Sequence, residues 1–158
     1  MKSALLTCFT VAVALLSTSC DKNADAGKSS GTAPSGEAAF VSAYRKALES
    51  SDTKTLDSFL MDDGAPAEIV GFFKMMREVP PGATVVDVTL ETPNEAEAAK
   101  FNSVMPMPDG KPCRLPIVPT KKLVITMKSK DGTGESTSTL PVAEKDGKLI
   151  IPLPVPAA

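Results

Sequence analysis

The chain has 158 residues, of which 17 are Lys or Arg and 19 are Asp or Glu, and its formal net charge at pH 7 is −2. It contains no histidine, which excludes Ser-His-Asp and Cys-His nucleophilic systems, His-ligated zinc or iron and imidazole acid–base chemistry. It also lacks a basic stripe interleaved with aromatic residues, so we expect no nucleic-acid partner.

The N-terminal segment has the parts of a secretory signal. Lys2 supplies a basic start, residues 4–16 (ALLTCFTVAVALL) are mostly apolar, and the small residues 17–19 (STS) precede Cys20. The apolar run is shorter than the ~20 residues that a transmembrane helix needs. A cysteine placed directly after small residues resembles the lipobox of bacterial lipoproteins, in which that cysteine is lipidated and becomes the new N-terminus. We therefore predict a signal peptide over residues 1–19 and lipidation of Cys20, while ordinary signal peptidase cutting at the same bond would leave a secreted protein.

The next segment, residues 21–36 (DKNADAGKSSGTAPSG), is small and polar. Such a segment buries too little apolar surface to offset the entropy of ordering it. We predict a disordered tether, together with the lipidated cysteine, over residues 20–36, and a single domain over residues 37–158. Cys113 is the only cysteine in that domain, so no disulfide can form within it. The lipobox resemblance implies anchoring to a membrane of the bacterial cell envelope, facing the periplasm or the cell exterior.

The first half of the domain predicts three helices. Residues 37–50 place apolar side chains at helical spacing. A second helix is predicted over residues 53–61, with Asp52 as its N-cap. Pro66 suits the first turn of a third helix, which Pro80-Pro81-Gly82 would end. The side chains expected to be buried on these helices are Phe40, Val41, Tyr44, Leu48, Leu56, Phe59, Leu60, Ile69, Phe72, Phe73 and Met76.

The second half predicts four strands in an antiparallel meander. Apolar and polar residues alternate along the first strand, whose apolar face is formed by Val86, Val88 and Leu90. A short helix is expected over residues 94–104, and the prolines within residues 105–119 predict an irregular connection. The other strands are expected around Leu123–Met127, Thr137–Val142 and Lys148–Leu153. This order predicts an α+β domain with its N-terminal helices packed on one face of an antiparallel sheet.

The layout also carries a family resemblance. The stretches Ala47–Leu60, which begins ALESSDTKTL, and Glu144–Leu153 (EKDGKLIIPL) are similar to the NTF2-like (cystatin-like cone) superfamily. Many small envelope lipoproteins have that layout. The resemblance implies a curved sheet that forms a cone with the helices. Because the superfamily contains isomerases and dehydratases as well as non-catalytic binding domains, it leaves the function open.

Tyr44, the only tyrosine, is one candidate for chemistry. In NTF2-like isomerases a tyrosine and a protonated carboxyl group polarise a carbonyl inside the cone, and Asp57, Asp87 and Glu91 are the available carboxylates. Asp87 and Glu91 lie on the polar face of the first strand, however, which favours exposure to solvent. The competing interpretation of Tyr44 is a core residue whose hydroxyl reaches the edge of the core.

A second candidate consists of the sulfur side chains Met105, Met107 and Cys113. Thioether and thiolate donors select Cu(I), so a copper or redox accessory site is one hypothesis. The alternative is that the methionines fill an irregular rim of the core. The cations Lys111 and Arg114 near Cys113 would favour its reactive thiolate, whereas a partly buried thiol in a stiff loop would be inert.

The C-terminal residues 150–156 (IIPLPVP) are apolar and extended. They predict an edge strand or, alternatively, a strip on which a partner docks. No catalytic motif is present, so we expect a non-catalytic domain, without cofactor or metal, that binds a small apolar ligand or an envelope protein. The alternatives are an enzyme that uses Tyr44 with a carboxylate, and a copper or redox accessory protein that uses Met105, Met107 and Cys113.

The membrane anchor is directly testable. Replacing Cys20 with Ala removes the sulfur that lipidation requires, so we expect the variant to move from the membrane fraction to the soluble fraction of the envelope. Cys113→Ala is the matched control and should remain in the membrane fraction. Continued membrane association of Cys20→Ala would contradict the predicted anchor.

Overall fold

The computed structural model describes residues 36–107 and 110–157, so the predicted signal peptide, Cys20 and nearly all of the predicted tether lie outside the described residues. The helices of this part are α1 (Glu37–Glu49), α2 (Thr53–Ser58), α3 (Ala67–Met76) and α4 (Glu95–Asn102). Its strands are β1 (Leu60–Met61), β2 (Thr84–Glu91), β3 (Met105–Pro106), β4 (Pro112–Arg114), β5 (Lys121–Lys128), β6 (Glu135–Lys145), β7 (Lys148–Pro152) and β8 (Val155–Pro156). None of these helices combines the length and apolar character needed to cross a membrane.

The main sheet has the strand order β1-β7-β6-β5-β2, and it is curved without closing on itself. Its pairs are antiparallel except at one edge, where β1 runs parallel to β7. A small second sheet has the order β3-β4-β8. The predicted α+β class is confirmed, but the purely antiparallel sheet is wrong at the β1 edge.

The core forms where α1 packs against the sheet. Phe40, Tyr44 and Leu48 lie on one stripe of α1 and are all buried, as the periodicity predicts. The ring centroids of Phe40 and Tyr44 each lie within 5.4 Å of the ring of Phe59, which follows α2. The sheet residues in the same cluster are Val88, Leu123, Ile125, Leu140, Val142, Leu149 and Ile151. Leu48, near the C-terminal end of α1, belongs to this cluster and also lines the two cavities described below.

The second helix is shorter than predicted. Asp52 caps it as expected, since its side chain accepts a hydrogen bond from the backbone N–H of Thr55. The helix ends at Ser58 rather than at residue 61, because the following backbone pairs with β7 instead. The N–H of Ile151 donates to the carbonyl of Phe59 at 2.7 Å, and the N–H of Leu153 to that of Met61 at 3.0 Å. Tertiary pairing therefore replaces the last helical turn.

The third helix buries only part of the predicted face: the prediction is right for Ile69 and Phe73 and wrong for Phe72 and Met76. Pro66 is its N-cap, and Ile69 is its only buried residue, with Phe73 partly buried. Phe72 and Met76, which were expected to be buried, are 46% and 47% exposed. The inward stripe runs through Ile69 and Phe73 at a spacing of four residues, which leaves Phe72 and Met76 on its solvent side.

A β-bulge corrects the predicted face of β2. Val85 pairs with Met127 and Asp87 with Thr126, so the register shifts between these two pairs. An extra residue in one strand moves the following side chains to the other face. Val86 is consequently 43% exposed, while Val85 packs against the core together with Val88 and Leu90. The prediction is right for Val88 and Leu90 and wrong for Val86.

The proline-rich connection and the C-terminal tail pair with each other. β4 contacts β3 on one side and β8 on the other. Leu153 is fully buried, and it belongs to a second apolar cluster with Ile69, Met107 and Cys113. The expected edge strand is confirmed only for Val155–Pro156, which form β8 at the edge of the small sheet. Residues 150–152 instead belong to β7, which lies between β1 and β6 in the main sheet.

The bulge predicts a contrast between two neighbouring valines. Val88→Ala removes two methyl groups from the core, so we expect it to lower the free energy of unfolding by about 2 kcal/mol. Val86→Ala, on the exposed residue, should change it by less than about 0.5 kcal/mol. Urea denaturation of both variants measures the difference. Equal effects would contradict the register of β2.

Candidate ligand-binding site

The candidate site is built around Arg77, the residue that follows the last turn of α3. Arg77 is 6% exposed and is the only buried charged residue in the described ranges. It continues the inward stripe of α3, since it lies four residues after Phe73 and eight after Ile69. A position that packing would assign to an apolar side chain therefore carries a guanidinium.

Asp57 of α2 holds this guanidinium in place. Its Oδ1 accepts a hydrogen bond from Arg77 Nη2 at 2.5 Å, and its Oδ2 accepts one from Lys74 Nζ at 2.7 Å. Burial raises the pKa of Asp57, but the hydrogen bonds and charges of Lys74 and Arg77 outweigh it and hold the pKa below its usual 3.8. One carboxylate thus faces two cations, so the three bonded groups carry an excess positive charge.

The remaining donors of Arg77 have no acceptor. Nε and Nη1 are buried, and no hydrogen-bond partner for either exists among the described residues. Buried polar groups in proteins are nearly always paired, and an unpaired one costs about 1–3 kcal/mol, more when it is charged. The arrangement therefore leaves two buried donors of Arg77 without an acceptor among the described residues.

Two cavities reach the Arg77 side chain. One, which we name the helix cleft, has a volume of about 460 Å³ and is lined by Leu48, Ser51, Thr53, Leu56, Asp57, Lys74, Arg77, Glu78 and Val79. The other, the sheet cavity, has a volume of about 210 Å³ and is lined by Leu48, Met76, Arg77, Ile125, Met127, Thr137, Ser138, Thr139 and Leu140. Leu48 and Arg77 line both cavities. The Arg77 side chain thus contributes to two cavities whose walls are both largely apolar.

Tyr44 is a core residue, but its hydroxyl does not reach the edge of the core. It is fully buried, and its hydroxyl has no hydrogen-bond partner among the described residues. Burial raises the pKa of Tyr44 to about 12, although the charge of Arg77 lowers it in part. The phenol is therefore protonated at neutral pH, and its hydroxyl is a third unpaired buried donor alongside Nε and Nη1 of Arg77.

The carboxylates considered with Tyr44 are engaged elsewhere. Asp57 binds Lys74 and Arg77, Asp87 accepts from the N–H of Val88, and Glu91 pairs with Lys122 at 3.3 Å. None of them is hydrogen-bonded to the Tyr44 hydroxyl. The structure does not assemble the tyrosine–carboxyl pair that carbonyl polarisation would need.

The three sulfur residues do come together. Met105 lies opposite Cys113 across the β3–β4 pair, and Met107 and Cys113 are buried in the second apolar cluster, against which Met105 also packs. Apolar packing accounts for all three positions. Within the part of the chain that the structure describes, no three His, Cys, Asp or Glu residues form a group that could hold a metal ion.

Sequence analysis missed Arg77 and assigned no pairing role to Asp57. A usable signal existed, because Ile69, Phe73 and Arg77 are spaced by four residues and a helical stripe that ends on a charge needs a counter-ion. The partner could not be read from the sequence, since Asp57 lies 20 residues before Arg77 on another helix.

Comparison with protein-family models, with curated proteins and with solved structures gives no match to this chain. The functional argument therefore depends on its own residues and their geometry.

The ion pair predicts a pH dependence of stability. Because the pKa of Asp57 is lower in the folded chain than its ordinary 3.8, its carboxylate stabilises the fold above that value, and this contribution is lost as the pH falls through the folded pKa. Asp57→Asn should lower the free energy of unfolding by about 1 kcal/mol at pH 7, a figure reduced for solvent screening of the partly exposed carboxylate. The deficit should shrink towards pH 3.

Urea denaturation at pH 7, 5 and 3 measures this deficit. Asp63→Asn is the matched control, because Asp63 is exposed and pairs only at 3.6 Å with Lys145. It should have little effect at any pH. A deficit for Asp57→Asn that is equal at pH 7 and pH 3 would contradict the assigned role of the carboxylate.

Proposed function

We propose that this chain is a lipid-anchored protein of the bacterial cell envelope, facing the periplasm or the cell exterior. Its domain over residues 37–158 is a non-catalytic, NTF2-like module that binds a small ligand between its helices and the inner face of its sheet. The anchor is supplied by Cys20, and residues 21–36 give the domain reach from the membrane.

One observation carries the binding role. Arg77 is buried between two cavities with two donors that no described residue accepts. A guanidinium used only to join α3 to α2 would need no cavity on either side and would leave no donors unused. Concave, largely apolar sites with a few polar groups are the usual form of a small-molecule site.

Two features support a binding module rather than an enzyme. The chain has no histidine, and the hydroxyl of Tyr44 is not hydrogen-bonded to a carboxylate. The NTF2-like assignment is supported by the order of elements, in which α1, α2 and α3 precede the β5–β6–β7 meander and pack on one face of a curved sheet.

A second candidate function has one specific observation in its favour. Met105 faces Cys113 across two paired strands, and Met107 is buried beside them. Three soft sulfur donors in one apolar cluster would suit Cu(I). Binding of copper there would use a different part of the molecule from the Arg77 site.

Native mass spectrometry of the full chain tests the proposed function. The protein would be purified from its own envelope in a mild non-ionic detergent and compared with the same sample after denaturation and refolding. We expect a discrete added mass that is lost on denaturation, with a value that separates an organic molecule from a copper ion. A bare chain mass in both samples would contradict a ligand-binding role and direct attention to protein partners.

A further inference from the structure

We propose that α3 lies on the surface of the bilayer that holds the anchor, with the side chains of Phe72, Met75 and Met76 in contact with neutral lipid. We name these three side chains the exposed face of α3. The inference goes beyond the ligand-binding role but rests on the proposed function, because it needs the lipidated Cys20. It follows from the composition of this face, from the reach of the tether and from the charges beside the face.

The exposed face of α3 is a contiguous apolar surface. The large apolar side chains that are exposed in the described part of the chain are Phe72, Met75, Met76, Val86, Val104 and Val118. The first three are spaced by three and four residues, which places them side by side on α3. Isolated exposed apolar side chains are ordinary on a protein surface, whereas adjacent ones mark a contact with a partner or a membrane.

Packing within the fold does not use this face. The inward side of α3 carries Ile69 and Phe73, which belong to or pack against the two apolar clusters. Phe72, Met75 and Met76 remain 46%, 61% and 47% exposed. Their apolar surface is therefore available to something outside the domain.

The length of the predicted tether keeps this face within reach of the bilayer. Residues 21–36 separate Cys20 from Glu37, the first residue of α1. A disordered tether of that length spans about 22 Å on average and at most about 55 Å. Leu48 lies roughly 17 Å from Glu37 at the 1.5 Å rise of each helical residue, and it lines both cavities together with Arg77. The tether is thus long enough for the C-terminal end of α3 to lie on the bilayer.

An anchored domain needs only a weak contact to stay on the bilayer. The anchor confines the domain to a thin layer above the lipid, so the second contact forms at a high effective concentration. Amphipathic elements bind the membrane interface by burying an apolar face among the headgroups. Methionine suits such a contact because its flexible side chain adapts to an irregular surface. Three adjacent apolar side chains therefore suffice for a tethered domain, although they would hold an untethered one only weakly.

The charges beside the face select neutral lipid. Glu68 lies one turn before Phe72, and Glu78 lies two residues after the face ends. The nearby cations Lys74 and Arg77 are both bonded to one carboxylate, that of Asp57. Anionic headgroups attract basic residues and repel carboxylates. A zwitterionic bilayer is therefore the surface that fits this face.

The methionines of the exposed face are natural probes of the contact. The full lipidated chain would be incorporated singly into nanodiscs of dimyristoyl phosphatidylcholine and treated with chloramine-T, a water-soluble oxidant that converts exposed methionine to its sulfoxide. Peptide mass spectrometry gives the oxidation rates of Met75 and Met76. We expect both rates to be at least fivefold lower than in Cys20→Ala, which lacks the anchor and is measured in buffer. Met61, whose sulfur lies 3.9 Å from Lys145 Nζ and outside the face, should oxidise within twofold of its rate in buffer.

Charged variants locate the contact on α3. Phe72→Glu places a carboxylate in the exposed face, so we expect Met75 in nanodiscs to oxidise within twofold of its rate in Cys20→Ala. Val118→Glu is the matched control, since Val118 is 62% exposed and lies outside α3, and it should leave Met75 protected. Met75→Glu, measured at Met76, makes the same test if Phe72→Glu does not fold.

The outcomes separate this inference from the proposed anchor. Equal oxidation rates in nanodiscs and in buffer, for a chain that enters the discs, would overturn the contact and leave the anchor in place. Protection that persists in Phe72→Glu and Met75→Glu would also overturn it. Protection only in discs that hold two chains would assign the face to a second copy instead of lipid. Failure of the chain to enter nanodiscs would overturn both the contact and the anchor.

Discussion

The packing of α1 on the inner face of the sheet is the interaction on which the rest of the structure depends. Phe40 and Tyr44 bury their rings against Phe59 and the central strands, and this contact sets the position of α1 along the sheet. Farther along the same stripe, Leu48 reaches the point where the two cavities begin. Because aromatic side chains bury the largest areas in a core, this contact fixes where the helices cover the sheet and where they leave room.

The space beyond Leu48 is spanned by a charged contact instead of an apolar one. α3 contributes a single buried apolar residue, Ile69, so its C-terminal end relies on the bonds from Lys74 and Arg77 to Asp57. Arg77 is buried while Asp57 is partly exposed, so removing Asp57 would leave a buried guanidinium without its counter-ion, which makes this contact sensitive to substitution. The same contact sets the direction of the guanidinium. Asp57 is therefore a positioning residue for any group that Arg77 binds.

Local patterns predicted most of the fold. The stripe of α1, the cap at Asp52 and the alternation of β5 depend on neighbours within a few residues, and all three are present in the structure. The wrong predictions concern positions where pairing with a strand distant in the sequence determines the local structure. The backbone carbonyls after Ser58 accept hydrogen bonds from β7 and the residue that follows it, and α2 therefore ends early. The bulge that exposes Val86 is a shift in the register between β2 and β5. Neither of these strand pairings produces a pattern in the residues close to it in the sequence.

The candidate site escaped prediction for a related reason. Its essential pair joins residues of two helices, and the residue types involved are also the commonest surface ions. What distinguishes Arg77 is its position on the inward stripe of α3, together with the two donors that folding leaves unused.

A leucine or methionine at position 77 would complete the apolar stripe after Ile69 and Phe73, and replacement of buried ion pairs by apolar residues is often neutral or stabilising. Arg77 therefore interrupts the apolar stripe of α3 with a charged group. Only its Nη2 is hydrogen-bonded, to Asp57, while Nε and Nη1 have no partner among the described residues. Such departures are expected at functional sites, where a group is held ready for something outside the chain. The unpaired donors of Arg77 therefore lower the stability of the fold, and they single out this residue among the described ones.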